Sequence, residues 1–331
     1  MNNIIPPKLK SGDTIRIIAP SNSGKILTAQ QKKIAEKRFK DIDISITYGG
    51  STFENFAFDS ASIKSKIKDL HQAFKDEKVR GIIAVRGGYN ANELLDYIDW
   101  NIIKNNPKIF CGFSDITVLH NAIFAMTGLV TYHSPNFSNF GQSYNFDYTF
   151  EYFTKSLMAE SPYVISPSNE WNDDKWWENQ NDIKLMHNEG YILLNPCQER
   201  NYAGKILGGN ISSFALLQGT QYFPDLNNSI LLIEDDELVD IQIFNRYLDS
   251  ILQQKNSDKI HAIIIGRFQR GSGVSVEDFR EIIRSKEKLK NIPVVFGVDV
   301  GHTTPQSTIP IGGVLNVRIM KDKVGLEVIE H

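Results

Sequence analysis

Short apolar runs alternate with helical patterns through the first half of the chain. Alternating strands and helices whose strands are almost continuously apolar indicate a parallel sheet covered by helices on both faces. The predicted strands are Thr14–Ala19, Ile44–Tyr48, Gly81–Val85 and Ile109–Gly112, and the predicted helices are Thr28–Lys40, Ser62–Phe74 and Asp115–Met126.

A second region with the same kind of pattern begins near residue 201. Its first segment, residues 204–218, contains Gly-Gly-Asn and is predicted to continue as a helix. The later predicted elements are the strands Ser229–Glu234, His261–Gly266 and Pro293–Gly297, the helices Val239–Gln253 and Val276–Lys290, and a terminal hairpin over Val314–Ile329. We therefore predict an α/β protein of two domains, an N-terminal parallel-sheet domain (residues 1–165) and a smaller C-terminal α/β domain (residues 201–331).

The segment between the two domains, residues 166–200, has no clear periodicity. It carries three of the four tryptophans, Trp171, Trp176 and Trp177, and six acidic residues between Glu170 and Glu189. Long loops inside compact chains are usually functional or disordered, and the aromatic content argues against disorder. We therefore predict a tryptophan-bearing loop at the active site.

Composition narrows the function classes. The chain has 331 residues, 41% of them hydrophobic, and a formal net charge of -3. This charge gives no indication of a basic surface that would bind nucleic acid or an anionic membrane. Its longest apolar runs are strand-sized, and its N-terminus has no secretory signal pattern. Two cysteines do not make a disulfide scaffold, so we predict a cytoplasmic protein.

Three polar segments follow predicted strands: residues 20–23, 86–90 and 113–115. Sites in parallel sheets form outside the carboxyl ends of the strands. Ser114 lies where a buried strand gives way to a helix, and this kind of turn exposes the nucleophile of many hydrolases. A serine at this place is also a common helix N-cap, and the sequence lacks the second glycine of a G-x-S-x-G elbow.

Two further strand ends supply possible partners for Ser114. Glu234 ends an apolar strand in an acidic cluster, and His302 follows another strand between a glycine and a threonine. Serine needs a base to become nucleophilic, histidine is the usual one, and a carboxylate orients it. A Ser114–Glu234–His302 triad is one interpretation; a helix-capping Glu234 and a turn-forming His302 are the other.

Metal and cofactor chemistry has little support in the sequence. The histidines are scattered and no H-E-x-x-H or C-x-x-C spacing occurs, so we predict neither a metal nor a cofactor. Residues 21–25 lack the glycine and the hydroxyl residue of a phosphate loop. Cys111 lies in an apolar strand with no cation to activate its thiol.

Taken in order, these motifs resemble the LD-carboxypeptidase family of serine peptidases along nearly the whole chain. Six ordered matches are far more specific than any single one. They are Leu9–Asp13 leading to Ile18–Ser21, Arg86–Tyr89, Gly112–Asp115, Gly208–Asn210, Ile233–Asp235, and Gly301–Thr303 with Thr308–Gly312.

The resemblance implies a catalytic Ser114–Glu234–His302 triad, with an oxyanion hole formed by the backbone N–H groups of Asp115 and Gly88. It also implies a homodimer of two-domain subunits. One branch of the family removes D-alanine from murein tetrapeptides. Another, the microcin C immunity branch, cleaves the amide between an aminoacyl or peptidyl group and a modified adenylate.

The chain is more similar to the immunity branch, because Asn90 stands where the murein branch commonly has a further glycine and because of the tryptophan loop. A nucleobase stacked on an indole contributes ~1–3 kcal/mol. The predicted substrate-binding residues are Trp176, Trp177, Trp171, Tyr89, Asn90 and Asn210. Two alternative functions are a murein LD-carboxypeptidase and a non-enzymatic module that binds a nucleotide or peptide. The alternative role of the indoles is only to pin the loop to the body of the protein.

Overall fold

The computed structural model describes residues 3–321 and 323–331 and contains two sheets flanked by helices. The first sheet has six strands in the order β14-β5-β4-β3-β1-β2, and all neighbouring pairs are parallel except β14 with β5. Its strands are β1 (Thr14–Ile18), β2 (Ser45–Tyr48), β3 (Val79–Ala84), β4 (Ile109–Gly112), β5 (Thr131–His133) and β14 (Ile309–Ile311).

Five α-helices lie between or directly after the strands of this sheet. They are α1 (Ala29–Asp41), α2 (Ile63–Lys75), α3 (Trp100–Asn105), α4 (Thr117–Thr127) and α5 (Asp147–Met158). Helices α1 and α2 each begin at a side-chain N-cap. Thr28 forms a capping box with Gln31, and the Ser62 hydroxyl accepts from the Ser65 N–H. The sequence prediction lacked α3, α5, β5 and β14, which are short or weakly periodic.

The second sheet has eight strands in the order β6-β16-β15-β10-β11-β12-β13-β9, with a parallel centre and antiparallel flanks. Its strands are β6 (Tyr163–Ile165), β9 (Ile192–Leu193), β10 (Asn201–Asn210), β11 (Ser229–Glu234), β12 (Ile260–Gly266), β13 (Val294–Val298), β15 (Val314–Met320) and β16 (Lys323–Glu330). The associated helices are α6 (Ile211–Ala215), α7 (Ile241–Leu252) and α8 (Val276–Ser285). This arrangement confirms the predicted α/β class with a parallel-strand core.

The helix predicted to follow Gly-Gly-Asn within residues 204–218 is present but shorter than expected, and the first part of the segment is a strand. Residues 204–210 continue β10, and helix α6 spans only Ile211–Ala215. Gly208 and Gly209 have φ values of +104° and +128°, which a right-handed helix does not accept, and β10 pairs with β11 on one side and β15 on the other. Pairing on two edges outweighs the weak helical periodicity of this segment.

The segment over residues 166–200 leaves the second sheet after β6 and rejoins it at β9. It contains a two-stranded hairpin of β7 (Glu170–Trp171) and β8 (Met186–His187) before it returns through β9. Both ends of the hairpin are tied to the buried carboxylate of Asp299, which accepts from the Ser168 N–H at 2.8 Å and lies 3.5 Å from the Asn188 Nδ2. Asn172 and Thr304 exchange two backbone hydrogen bonds of 2.8 Å. The segment is therefore anchored to the body of the protein close to His302.

The carboxyl ends of several strands meet where the two sheets face each other. Ser114 follows β4, Glu234 ends β11, and His302 follows β13. A single apolar cluster joins the two sides, with Leu119 of α4 and Leu207 of β10 both fully buried in it. Packing of helix α4 between the two regions thus holds the three strand ends together.

Candidate active site

The turn that carries Ser114 has a strained backbone. Ser114 has φ +64°, in the left-handed region that few residues other than glycine adopt, directly after β4. Its side chain makes no helix-capping hydrogen bond, because the residues that precede the 3-10 turn and helix α4 are Phe113 and Ile116. The strain therefore serves to expose the hydroxyl of Ser114 above the sheet, as in a nucleophile elbow.

The hydroxyl of Ser114 faces an imidazole that is held by a carboxylate. Ser114 Oγ lies 3.2 Å from His302 Nε2, and His302 Nδ1 lies 2.8 Å from Glu234 Oε2. Glu234 is fully buried, so its carboxylate accepts from the Nδ1–H of His302 and sets the tautomer that leaves Nε2 free to face the serine. These distances allow proton transfer from Ser114 to His302.

Charge on Glu234 and on its acidic neighbours controls the basicity of His302. Burial opposes the charged imidazolium, but the Glu234 carboxylate beside it, followed by Asp236 and Asp235, raises the pKa of His302 to about 9. Burial likewise raises the pKa of the Glu234 carboxyl, against the attraction of His302. The His302–Glu234 pair therefore binds its shared proton more tightly than a free imidazole or a free carboxylate would.

The backbone of the Arg86–Tyr89 turn approaches Ser114 closely. A Cβ added to Gly87 would lie 2.8 Å from Ser114 Cβ and 3.0 Å from its Oγ, so only glycine fits. Gly88 is equally confined, since a Cβ there would lie 2.5 Å from Ser21 Oγ. This turn brings the Gly87 backbone beside Ser114, and Gly88 and Asp115 both line the same cavity as Ser114.

A cavity of about 620 Å³ opens above Ser114 and His302. Its size is that of a site for a small organic ligand. Of the residues predicted from the sequence, those that line it are Ser114, His302, Gly88, Asp115, Tyr89, Asn210, Trp176 and Trp177. Glu234 lies behind His302 and does not line the cavity.

Both adjacent tryptophans line the cavity, although neighbouring residues do not easily face one ligand. Their ring centroids are 5.9 Å apart and the ring planes are at 87°. Trp177 is 47% exposed. The two rings support each other through this edge contact, and both residues contribute to the wall of the cavity.

Trp171 and Asn90 lie outside the cavity. The Arg267 guanidinium stacks over the Trp171 ring at 4.8 Å, and Arg267 also pairs with Asp299 at 2.8 Å. Asn90 is buried, and its Oδ1 accepts from Lys66 Nζ at 2.8 Å. Trp171 thus packs at the root of the loop, and Asn90 packs beneath the glycine turn.

The sequence reasoning did not identify the apolar part of the cavity that the C-terminal domain contributes. Leu216 and Leu238 are 53% and 67% exposed, which is unusual for leucine. Val239, Ile243 and Tyr247 continue this surface. In the sequence, these residues are indistinguishable from the apolar positions of ordinary helices and turns, so no motif marks them.

Across residues 3–321 and 323–331, no group of three or more His, Cys, Asp and Glu side chains is arranged to hold a metal ion. None of the helices in those ranges is long and apolar enough to span a bilayer.

Comparison with known proteins places both halves of the chain in one family. The LD-carboxypeptidase N-terminal domain matches residues 15–134, and the LD-carboxypeptidase C-terminal domain matches residues 203–317. The Bacillus subtilis protein YocD is 41% identical over 98% of this chain and 99% of its own length. The crystal structure of an MccF-like protein from Bacillus anthracis superposes with a TM-score of 0.96, at 42% identity over 99% of this chain and 100% of that one.

A more distant relative is the microcin C7 self-immunity protein MccF of Escherichia coli, 27% identical over 94% of this chain and 91% of that protein. A structure of MccF in complex with aspartyl sulfamoyl adenosine superposes with a TM-score of 0.87 over 99% of both chains. Matches to both domains, together with more than 40% identity along almost the entire chain, show that this protein belongs to the LD-carboxypeptidase family.

Proposed function

We propose that this protein is a serine amidohydrolase that cleaves the amide between an aminoacyl or peptidyl group and a modified adenylate. The observation that carries the proposal is the line of hydrogen bonds from Ser114 through His302 to Glu234 at a cavity that two tryptophans also line. The MccF relative whose structure contains aspartyl sulfamoyl adenosine supports this substrate class.

The geometry supports acyl transfer in two steps. Neutral His302 takes the proton of Ser114 as its oxygen attacks the scissile carbonyl, and the backbone N–H groups of Asp115 and Gly88 stabilise the oxyanion. His302 then gives the proton to the leaving nitrogen, the C–N bond breaks, and an ester on Ser114 remains. Water attacks this ester with His302 again as base, His302 returns the proton to Ser114 Oγ as the ester C–O bond breaks, and the carboxylic acid leaves.

Protonation of His302 limits this mechanism at low pH. Only the neutral imidazole accepts the serine proton, and Glu234 raises the pKa of His302 to about 9. We therefore expect kcat/KM to increase with pH up to about pH 9, the pKa of His302, and to reach its plateau only above that pH.

The lining of the cavity supports an adenylate on the loop side and a neutral acyl group on the other. Trp176 and Trp177 offer indole faces to a base, worth ~1–3 kcal/mol per stacked base. Arg86 is the one Lys or Arg among the described residues that line the cavity, and it can pair with an anionic sulfamate, phosphate or carboxylate. The leucines on the C-terminal side, next to Asp235 and Asp236, favour an apolar acyl side chain over an acidic one.

Two further proposals concern the assembly and the location of the protein. The family resemblance predicts a homodimer, which light scattering of the purified protein tests directly. We also place the protein in the cytoplasm, where fractionation of the cells that produce it would locate it.

The decisive experiment is mass spectrometry of reactions with wild type and Ser114→Ala. Each is incubated with a leucyl-sulfamoyl adenosine, an aspartyl-sulfamoyl adenosine and a murein L,D-tetrapeptide. Release of sulfamoyl adenosine by wild type alone supports the proposal. Release of D-alanine instead would assign the protein to murein peptide cleavage, and tight binding without any turnover would make it a binding module.

A further inference from the structure

The side chain of Asp115 has no part in the mechanism above, although its carboxylate is buried beneath the site. The residue is 2% exposed. Its Oδ2 accepts from the Ser21 hydroxyl at 2.6 Å and from the Ala91 backbone N–H at 2.8 Å. A buried carboxylate costs free energy unless it is hydrogen-bonded and its charge is compensated. The presence of a carboxylate at this buried position therefore needs a structural or functional explanation.

Both partners of the carboxylate flank the glycine turn beside the nucleophile. A Cβ added to Gly88 would lie only 2.5 Å from Ser21 Oγ, next to the side chain of Asn22, and Ala91 ends the segment that leaves the turn. The Ser21 carbonyl in turn accepts from the Ser60 hydroxyl at 2.8 Å. The carboxylate of Asp115 therefore links Ser21, which packs close to Gly88, to the segment that follows the glycine turn.

A buried cation lies in the same network. Lys66 has a side chain that is 1% exposed, and its Nζ donates to Asn90 Oδ1 at 2.8 Å, next to Ala91. Burial raises the pKa of the Asp115 carboxyl, while Ser21, the backbone N–H groups of Ala91 and Asn90, and the charge of Lys66 act in the opposite direction. Lys66 also pairs with Glu93 at 3.8 Å, so its charge offsets part of the negative charge of Asp115, which would oppose an oxyanion nearby.

We propose that the Asp115 carboxylate is a positioning group that ties together the two halves of the oxyanion hole. The main-chain N–H of Asp115 is one donor, and its side chain, through Ser21 and Ala91, holds the turn that supplies the other donor at Gly88. Oxyanion donors work only when they are held at the place where the charge develops. The inference rests on the proposed function, since it assigns a task within the same catalytic site.

The test compares Asp115→Asn with a matched control, Asp69→Asn. Asp69 is also buried and accepts from the Gly50 N–H at 3.0 Å and from the Ser51 N–H and hydroxyl at 2.7 and 2.6 Å, but it does not line the cavity. Asp115→Asn keeps the shape and the main-chain donor while it removes one acceptor and the charge. We expect a decrease in kcat of about 30- to 100-fold with KM within threefold, which is smaller than the about 100- to 1000-fold loss caused by removal of an oxyanion donor, because both main-chain donors remain.

A second readout is the rate at which a fluorophosphonate probe modifies Ser114, because this reaction needs the same hole but no particular substrate. We expect Asp115→Asn to lower this rate by at least tenfold and Ser21→Ala to lower it about threefold, while Asp69→Asn leaves it unchanged at a similar loss of melting temperature. If Asp115→Asn does not fold, the labelling rate of Ser21→Ala alone tests the inference.

Unchanged kcat and labelling rates in Asp115→Asn and Ser21→Ala would overturn the inference. An equal decrease in Asp69→Asn would also overturn it, since the effect would then be one of general stability. A wild type that reacts with the probe but cleaves no sulfamoyl adenosine would overturn the proposed substrate and leave the role of Asp115 to be decided by the labelling rates.

Discussion

The turn that carries Ser114 and the tryptophan loop contribute to one cavity but are held in different ways. Ser114 lies between a buried strand and a helix, and its neighbour Asp115 is 2% exposed. Trp177 is 47% exposed, and its part of the loop contacts the body through polar groups such as Gln180, whose Nε2 donates to the Gly141 carbonyl at 3.1 Å. One region is packed into the core and the other lies on top of it.

This difference separates two tasks that an enzyme of this kind has to perform. Proton transfer and oxyanion stabilisation need groups held to a fraction of an ångström, which packed strand ends provide. Binding of a large ligand needs area, which an exposed aromatic segment provides. We therefore expect substitutions in the turn to affect kcat and substitutions at the tip of the loop to affect KM.

The largest effect is expected from Ser114→Ala. Loss of the nucleophile should lower kcat by about 10⁶-fold, as in other serine hydrolases. Binding of an aminoacyl-sulfamoyl adenosine, measured by calorimetry, should stay within threefold because the tryptophans are untouched. Retained turnover would contradict the assignment of Ser114.

Glu234→Gln is expected to lower kcat by about 10⁴-fold, because the imidazole loses the charge that stabilises its protonated form. The same charge raises the pKa of His302 to about 9 in the wild type. Without it, burial dominates and the pKa of His302 decreases, so the acid limb of the kcat/KM profile should move to lower pH. A profile of unchanged position would show that Glu234 does not control His302.

The root of the tryptophan loop should contribute more stability than its outer contacts. Arg267→Met leaves the buried Asp299 without its ion-pair partner and should cost about 3–5 kcal/mol of unfolding free energy. Arg270→Met removes pairs to Asp173 and Asp174 from a half-exposed side chain and should cost about 1 kcal/mol. Urea denaturation of both variants measures the difference. Equal losses would contradict the distinction between root and surface.

The smallest kinetic effects are expected from the tryptophans. Trp176→Ala or Trp177→Ala should raise KM for an aminoacyl-sulfamoyl adenosine by about 5- to 150-fold, which corresponds to one stacked base at ~1–3 kcal/mol, with kcat nearly unchanged. Trp171→Ala is the matched control, because Trp171 stacks on Arg267 outside the cavity. An increase in KM for Trp171→Ala alone would show that the base binds elsewhere.

Much of the parallel-sheet core was predictable because buried parallel strands are almost continuously apolar, as in Val79–Ala84 and Ser229–Glu234. Strand β10 was not, because its glycines carry no pattern and only its neighbours on both sides define it as a strand. Strand β14 is another case. Its residues follow His302 in the chain but pair with β5 in the first sheet, and no local pattern indicates so distant a partner.

The sequence by itself determined the chemical groups, because their types and their places at strand ends follow from local pattern and from ordered motifs. Ser114, Glu234 and His302 were recognisable in this way. Tertiary structure alone decided how they meet, which tryptophans reach the cavity, and that Asp115 holds the glycine turn. Those outcomes depend on contacts between residues far apart in the chain, such as the 94-residue separation of Ser21 and Asp115, and packing of the two sheets creates such contacts only when the whole chain folds.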